Sequence, residues 1–145
     1  MSKVEKFLTE AEEQQLIEAI QSAEKNTSGE VRVHIEKYTN KPPLDRALEV
    51  FKFLKMDQTK LRNGVLFYIA VDSKKFAILG DEGIDKVVPK NFWNDEKELV
   101  ISHFKTGDYV TGLELAILEV GKKLKAFFPY KSDDINELSD EISKG

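Results

Sequence analysis

The densest group of side chains able to do chemistry is Gly80-Asp81-Glu82-Gly83-Ile84-Asp85, where three carboxylates sit among glycines that let the backbone bend. Hard cations such as Ca²⁺ and Mg²⁺ take carboxylate and carbonyl oxygens from loops of this sort, and ligands often sit beyond strand ends in α/β sheets. The plainer reading is a turn leading into a helix N-terminus, where acidic residues complement the helix dipole. No EF-hand spacing is present here or in the acidic stretch 133–141. A second polar segment, Asp57 to Gly64, offers Thr59, Arg62 and Asn63. The guanidinium of Arg62 is suited to holding a phosphate or carboxylate through two parallel hydrogen bonds, or else to a surface ion pair.

Elimination narrows the remaining chemistry. Neither Gly-x-x-x-x-Gly-Lys-Ser/Thr nor Gly-x-Gly-x-x-Gly occurs, so no nucleotide cofactor is expected, and there is no Gly-x-Ser-x-Gly elbow. With no cysteine the chain lacks disulfides, thiolate zinc sites and thiol nucleophiles. His34 and His103 are the only histidines. His103 shares a helical face with Leu99, Val100 and Phe104, and His34 falls on the polar side of a strand, so both read as ordinary rather than catalytic histidines. A hydrolytic reaction would need water activated by a metal or a carboxylate.

The elements that position these groups follow from periodicity. Thr9-x-x-Glu12 is a capping box ahead of Leu16, Ile17, Ile20 and Ala23, so a first helix spans about 10 to 25. Val31, Val33 and Ile35 alternate with Arg32, His34 and Glu36 as a half-buried strand. Pro42-Pro43 opens a second helix through Leu44, Ala47, Leu48, Phe51 and Leu54, closing near Met56. Val65–Val71 is apolar on both faces and reads as a central strand covered on each side. Asp72–Lys75 turns the chain back into Phe76–Leu79 as an antiparallel neighbour. Asn91 is the expected cap of a helix carrying Phe92, Leu99, Val100, His103 and Phe104, which Gly107 stops. Asp108 caps the strongest helix, with Tyr109, Val110, Leu113, Ile117, Val120, Leu124 and Phe128 on one stripe until Pro129. This order implies the α/β class, a three-layer α/β/α sandwich around a small mixed sheet of about four strands.

Bulk properties set further bounds. A chain of 145 residues fits one domain, 1–145, able to bury about 68–70% of its unfolded surface. Its longest apolar run, Val65–Val71, is far short of the roughly 20 residues a spanning helix needs. Charges scattered through Met1–Leu8 leave no signal-peptide core, so a cytoplasmic, non-membrane, monomeric protein is expected. Of the net charge of −4, all resides in residues 132–145, where five acids face one lysine; the rest balances. A neutral body with an acidic end lacks the basic footprint of a nucleic-acid binder. Ile135 and Leu138 suggest that the end, 132–145, docks on the body.

Several segments taken together resemble a known family. Thr27-Ser28-Gly29-Glu30-Val31-Arg32-Val33, Phe53-Leu54-Lys55-Met56 with Thr59, Arg62-Asn63-Gly64-Val65-Leu66-Phe67-Tyr68 and Phe76-Ala77-Ile78-Leu79-Gly80-Asp81-Glu82-Gly83-Ile84 resemble the TPM domain family, often labelled TPM phosphatase. Phe92-Trp93, Phe128-Pro129 and Asn136-Glu137-Leu138 extend the match over nearly the whole chain, which is similar to the stand-alone, non-secreted branch. The resemblance implies an α/β/α sandwich with a polar site at one end of its sheet that in relatives binds divalent cations such as Ca²⁺. Some relatives hydrolyse phosphate esters or nucleotide phosphates; others serve as assembly or maintenance factors. Carried onto this chain, the match implies Asp81, Glu82 and Asp85 as metal ligands, with Asn136 and Glu137 on an arm reaching the same end. It also makes Arg62, Asn63 and Thr59 the substrate-side candidates. Two functions stay open, a Ca²⁺- or Mg²⁺-binding regulatory module and a metal-assisted phosphoester or nucleotide phosphohydrolase. The implied partners are a divalent cation and either a phosphate-bearing small molecule or another protein.

Overall fold

The computed structural model describes residues 8–130 and 138–145. Helix α1 (Glu10–Glu24) begins with the expected capping box, the Thr9 side chain accepting from Glu12 N and the Glu12 carboxylate accepting from Thr9 N. Strand β1 (Glu30–Glu36) leads to α2 (Pro43–Phe53), which starts on a proline, and a short 3₁₀ turn spans Met56–Gln58. β2 (Gly64–Ala70) and β3 (Lys75–Gly80) form the hairpin, followed by a one-turn helix α3 (Glu82–Asp85). Helices α4 (Asn94–Lys105) and α5 (Tyr109–Leu124) come next, and a two-residue strand, β4 (Ser143–Lys144), closes the order.

The sheet runs β3-β2-β1-β4 and is mixed: β1 pairs parallel with β2 and β4, while β2 and β3 are antiparallel. One face carries Val31, Val33, Ile35, Val65, Phe67, Ile69 and Ile78, packed against α1, α4 and α5. The other carries Leu66, Tyr68, Ala70 and Ala77 against Ala47, Val50 and Phe51 of α2, with Met56 and Leu138. These layers make β2 buried along its whole length, as its doubly apolar pattern requires. Burying each large aliphatic or aromatic side chain contributes about 1.5–3 kcal/mol. The α1–α5 contact is close because Gly121 faces Ala23, where an added Cβ would come within 2.8 Å of the Ala23 backbone.

Two local expectations change. Asn91 does not cap α4; residues 89–93 form turns, with Asn91 O accepting from Asn94 N, and the helix starts after Trp93. Tertiary packing wins there. Phe92 is buried, and its ring meets Trp93 and Phe127 edge to face, which fixes the chain before a helical turn can begin. The second change is at the chain's end, where Leu138 is buried in line with the expected docking, but the end also buries Ile142 and adds an edge strand, β4, to β1. Ile135, the other apolar residue expected to dock, lies outside the described residues. Among the described residues, no helix is long and apolar enough to cross a membrane.

Candidate functional site

Strand register decides which loops meet. Glu30 lies beside Gly64, and Val65 beside Gly80, so the start of β1, the start of β2 and the end of β3 share one edge of the sheet. Residues 57–63 and 81–85 are thereby brought together at the amino ends of the parallel pair. Three backbone bonds knit them: Glu30 N to Asn63 O at 3.2 Å, Asp81 N to Gly64 O at 2.9 Å and Gly83 N to Arg62 O at 2.9 Å. Gly83 is the residue that permits this approach, since a Cβ there would stand 2.4 Å from Leu61 O and 2.5 Å from Arg62 O.

The carboxylate loop is a helix N-terminus organised around Arg62. Asp81 caps α3, accepting from Glu82 N at 2.7 Å. It also takes a two-pronged bond from the guanidinium, Nε to Oδ2 at 2.8 Å and Nη2 to Oδ1 at 2.9 Å, while Nη1 reaches Glu82 Oε1 at 3.0 Å. Asp81 is 5% exposed, so this pairing neutralises a carboxylate that water hardly reaches. Glu82 is exposed and its bond is correspondingly weak. Arg62 holds a left-handed backbone, φ 52°, which aims its side chain back across the turn toward Asp81. Burial raises the Asp85 carboxyl above its usual range, and the neighbouring charge of Asp81 raises it further. Asp57 adds its charge to the field around Arg62, after Asp81 and Glu82.

Of the residues singled out from the sequence, Arg62, Asp81, Glu82 and Asp85 are brought together. Asn63 is not a free ligand: it is buried, and its side-chain amide donates to Ser28 O at 3.2 Å, tying the loop to the start of β1. Thr59 is buried as well and lines a separate cavity next to Arg32 and Lys55. Asn136 and Glu137 lie outside the described residues. Tested against a hard cation, Asp81, Glu82 and Asp85 supply the right oxygens, but Arg62 already occupies both oxygens of Asp81. Among the described residues, no group of three or more His, Asp or Glu side chains stands ready to hold a metal.

The carboxyl ends of the parallel strands hold a network that sequence reasoning passed over. Glu36 receives Arg46 Nε and Nη2, each at 2.9 Å, together with the hydroxyl of Tyr68 and His34 Nε2 at 3.1 Å. Burial opposes ionisation of Glu36, yet the hydrogen bonds from Arg46, Tyr68 and His34 outweigh it and bring the carboxyl down to about 2. Burial lowers His34, against the pull of Glu36, and its Nδ1 meets Ser143 Oγ at 2.9 Å. Burial and the Glu36 charge together raise Tyr68. Every member is partnered, which makes this a brace between β1, β2, α2 and β4. The signal available was the polar alternation of β1, where His34 and Glu36 project to the same face.

At the end of α1, Glu24 is a half-buried acid. Its Oε2 accepts from Val31 N at 3.1 Å, and burial, with a hydrogen bond to Asp140, pushes its carboxyl up to about 9. Both effects favour the protonated form of Glu24, which bridges α1 to the segment preceding β4.

Comparison with known proteins places this architecture. A family model described as the TPM domain matches residues 1–123. The solution structure of the BA42 protein from the psychrophilic bacterium Bizionia argentinensis is similar over 100% of both chains, at 51% identity and a TM-score of 0.92. The N-terminal domain of a protein from P. gingivalis covers 84% of this chain and 79% of its own, with a TM-score of 0.69 at 21% identity, a likeness of fold. No curated protein matches.

Proposed function

The chain belongs to the TPM domain family, and from that premise we propose that it is a divalent-cation-responsive binding module working without turnover. In this reading Ca²⁺ or Mg²⁺ competes with Arg62 for the carboxylates of Asp81, Glu82 and Asp85. Success of the cation frees the guanidinium and changes the order of the two loops at the amino ends of β1 and β2.

The observation that supports the reading is the charge balance at this edge: one guanidinium acts against Asp57, Asp81, Glu82 and Asp85, and the Asp85 carboxyl is held up partly by Asp81. A hard cation relieves that mutual repulsion, and Asp81 would be its most buried oxygen donor. The Arg62–Asp81 pair then acts as a latch. It keeps the loop folded without metal and sets a threshold the cation must exceed. The phosphohydrolase alternative would need a guanidinium free for phosphate oxygens, whereas Nε, Nη1 and Nη2 of Arg62 are each bonded to Asp81 or Glu82.

The test is a calcium titration followed by amide NMR. Shifts confined to residues 57–63 and 80–85, saturating at millimolar Ca²⁺, are the expected result. An unchanged spectrum in both loops with Ca²⁺ and with Mg²⁺ would exclude the reading.

A further inference from the structure

We propose that the cavity between β1 and the 3₁₀ turn is a second binding site, specific for a small organic oxyanion and independent of the cation reading above. The cavity, about 320 Å³, is lined by Arg32, Leu54, Lys55, Gln58, Thr59, Leu138 and Ser139. Among the described residues two cations line it and no carboxylate does. Arg32 projects from the same face of β1 as Glu30 and His34. Glu30 Oε1 holds the backbone N–H of Leu138 at 2.7 Å, and His34 is engaged with Glu36 and Ser143.

Two buried atoms at this site have unmet hydrogen-bonding capacity. Among the described residues neither Arg32 Nε nor Thr59 Oγ1 has a partner, and Thr59 is only 5% exposed. A buried donor without an acceptor is costly, and the two residues that carry these atoms both line this one cavity. Guanidinium, ammonium and hydroxyl groups among the lining residues suit a carboxylate or phosphate oxygen, with the Gln58 amide and Ser139 hydroxyl as neutral supports. Leu54 and Leu138 supply the apolar side, so the ligand is an oxyanion carried on a short hydrocarbon body. Lys55 stands here with φ 59°, a left-handed conformation that a lysine seldom adopts and that the surrounding fold must enforce.

The test titrates the full chain, in buffer free of divalent cations, with butyrate, butyl phosphate, inorganic phosphate and butanol, following amide shifts at Arg32, Lys55, Gln58, Thr59 and Ser139. Saturable shifts from butyrate or butyl phosphate support the site, and the tighter of the two names the headgroup. Thr59→Val, which keeps the side-chain shape, should raise the melting temperature of the free protein yet weaken binding about tenfold, a combination that a purely structural threonine does not give. Arg32→Gln should abolish the shifts. Equal response to butanol, shifts from inorganic phosphate alone, undiminished binding in Thr59→Val, or no shift with either organic anion would each overturn the assignment.

Discussion

Replacing Glu24 by glutamine should make the protein more stable at neutral pH and flatten its stability against pH. The Glu24 carboxyl stands at about 9 in the folded protein, against 4.5 for an unperturbed glutamate, because it is buried and hydrogen-bonded to Asp140. Between those values the folded state binds a proton that the unfolded state releases, so stability falls as pH rises through this window. Each pH unit costs about 1.4 kcal/mol, which places the loss at pH 7 on the order of 3 kcal/mol relative to pH 4.5. Glutamine reproduces the protonated acid: its carbonyl can accept from Val31 N and its amide can donate to Asp140, without the proton linkage. Two other buried groups act with the opposite sign, but elsewhere on the pH axis. The lowered Glu36 contributes stability that is lost as pH falls below about 4.5 toward 2, and the lowered His34 favours folding as pH rises toward its unfolded value of 6.5. Asp85 and Glu96, also raised by burial, act with the same sign as Glu24, so over pH 7 to 9 the Glu24 contribution is read as the difference between the parent and Glu24→Gln. Urea unfolding in that interval should show the parent losing roughly 3 kcal/mol more than Glu24→Gln. Parallel curves for the two proteins, or a variant no more stable at pH 7, would refute the assignment of a protonated Glu24.

Other consequences concern the loops and the last strand. Arg62→Asn, which keeps a residue tolerant of the left-handed backbone, should lower the melting temperature without metal and tighten Ca²⁺ binding measured by calorimetry. Gly83→Ala should destabilise by about 1–3 kcal/mol in chemical unfolding, because its methyl would collide with the carbonyls of Leu61 and Arg62 rather than with a side chain able to move. Ending the chain at Lys131 removes β4 with Leu138 and Ile142 and strips His34 of Ser143, so the melting temperature should fall. If Asn136 and Glu137 belong to the cation site, the same truncation should also weaken Ca²⁺ binding, and unchanged affinity would remove them from it.

What was legible in the sequence was whatever is written locally. The Thr9–Glu12 capping box, the proline at the start of α2 and the Asp108 cap of α5 are self-contained signals, and each element begins where they indicate. The doubly apolar run of β2 announced a strand buried on both faces. β4 was not readable, because two residues have no periodicity and Ser143–Lys144 becomes a strand only by pairing with β1. At the candidate site, Arg62 and the Asp81 loop could be chosen by residue type, but their mutual pairing joins positions 19 apart and depends on the hairpin register. Thr59 and Arg62 looked like partners in one polar loop. The left-handed turn at Arg62 separates them, sending the arginine toward Asp81 while Thr59 borders the Arg32 cavity. Glu36 stayed hidden because its pairing with Arg46 and Tyr68 links a strand to a helix and to an apolar-looking run.

The claim that a cation competes with Arg62 for Asp81 is tested most directly by watching the arginine side chain itself. In the metal-free protein the Arg62 Nε–H is bonded to Asp81 at 2.8 Å, so its NMR signal should be shifted downfield and exchange slowly with water. Addition of saturating Ca²⁺ should move that signal toward the position of a solvated guanidinium and speed its exchange, in step with the amides of 80–85. An Arg62 Nε–H signal that keeps its position and exchange rate at saturating Ca²⁺ would contradict the competition at the centre of the proposed function.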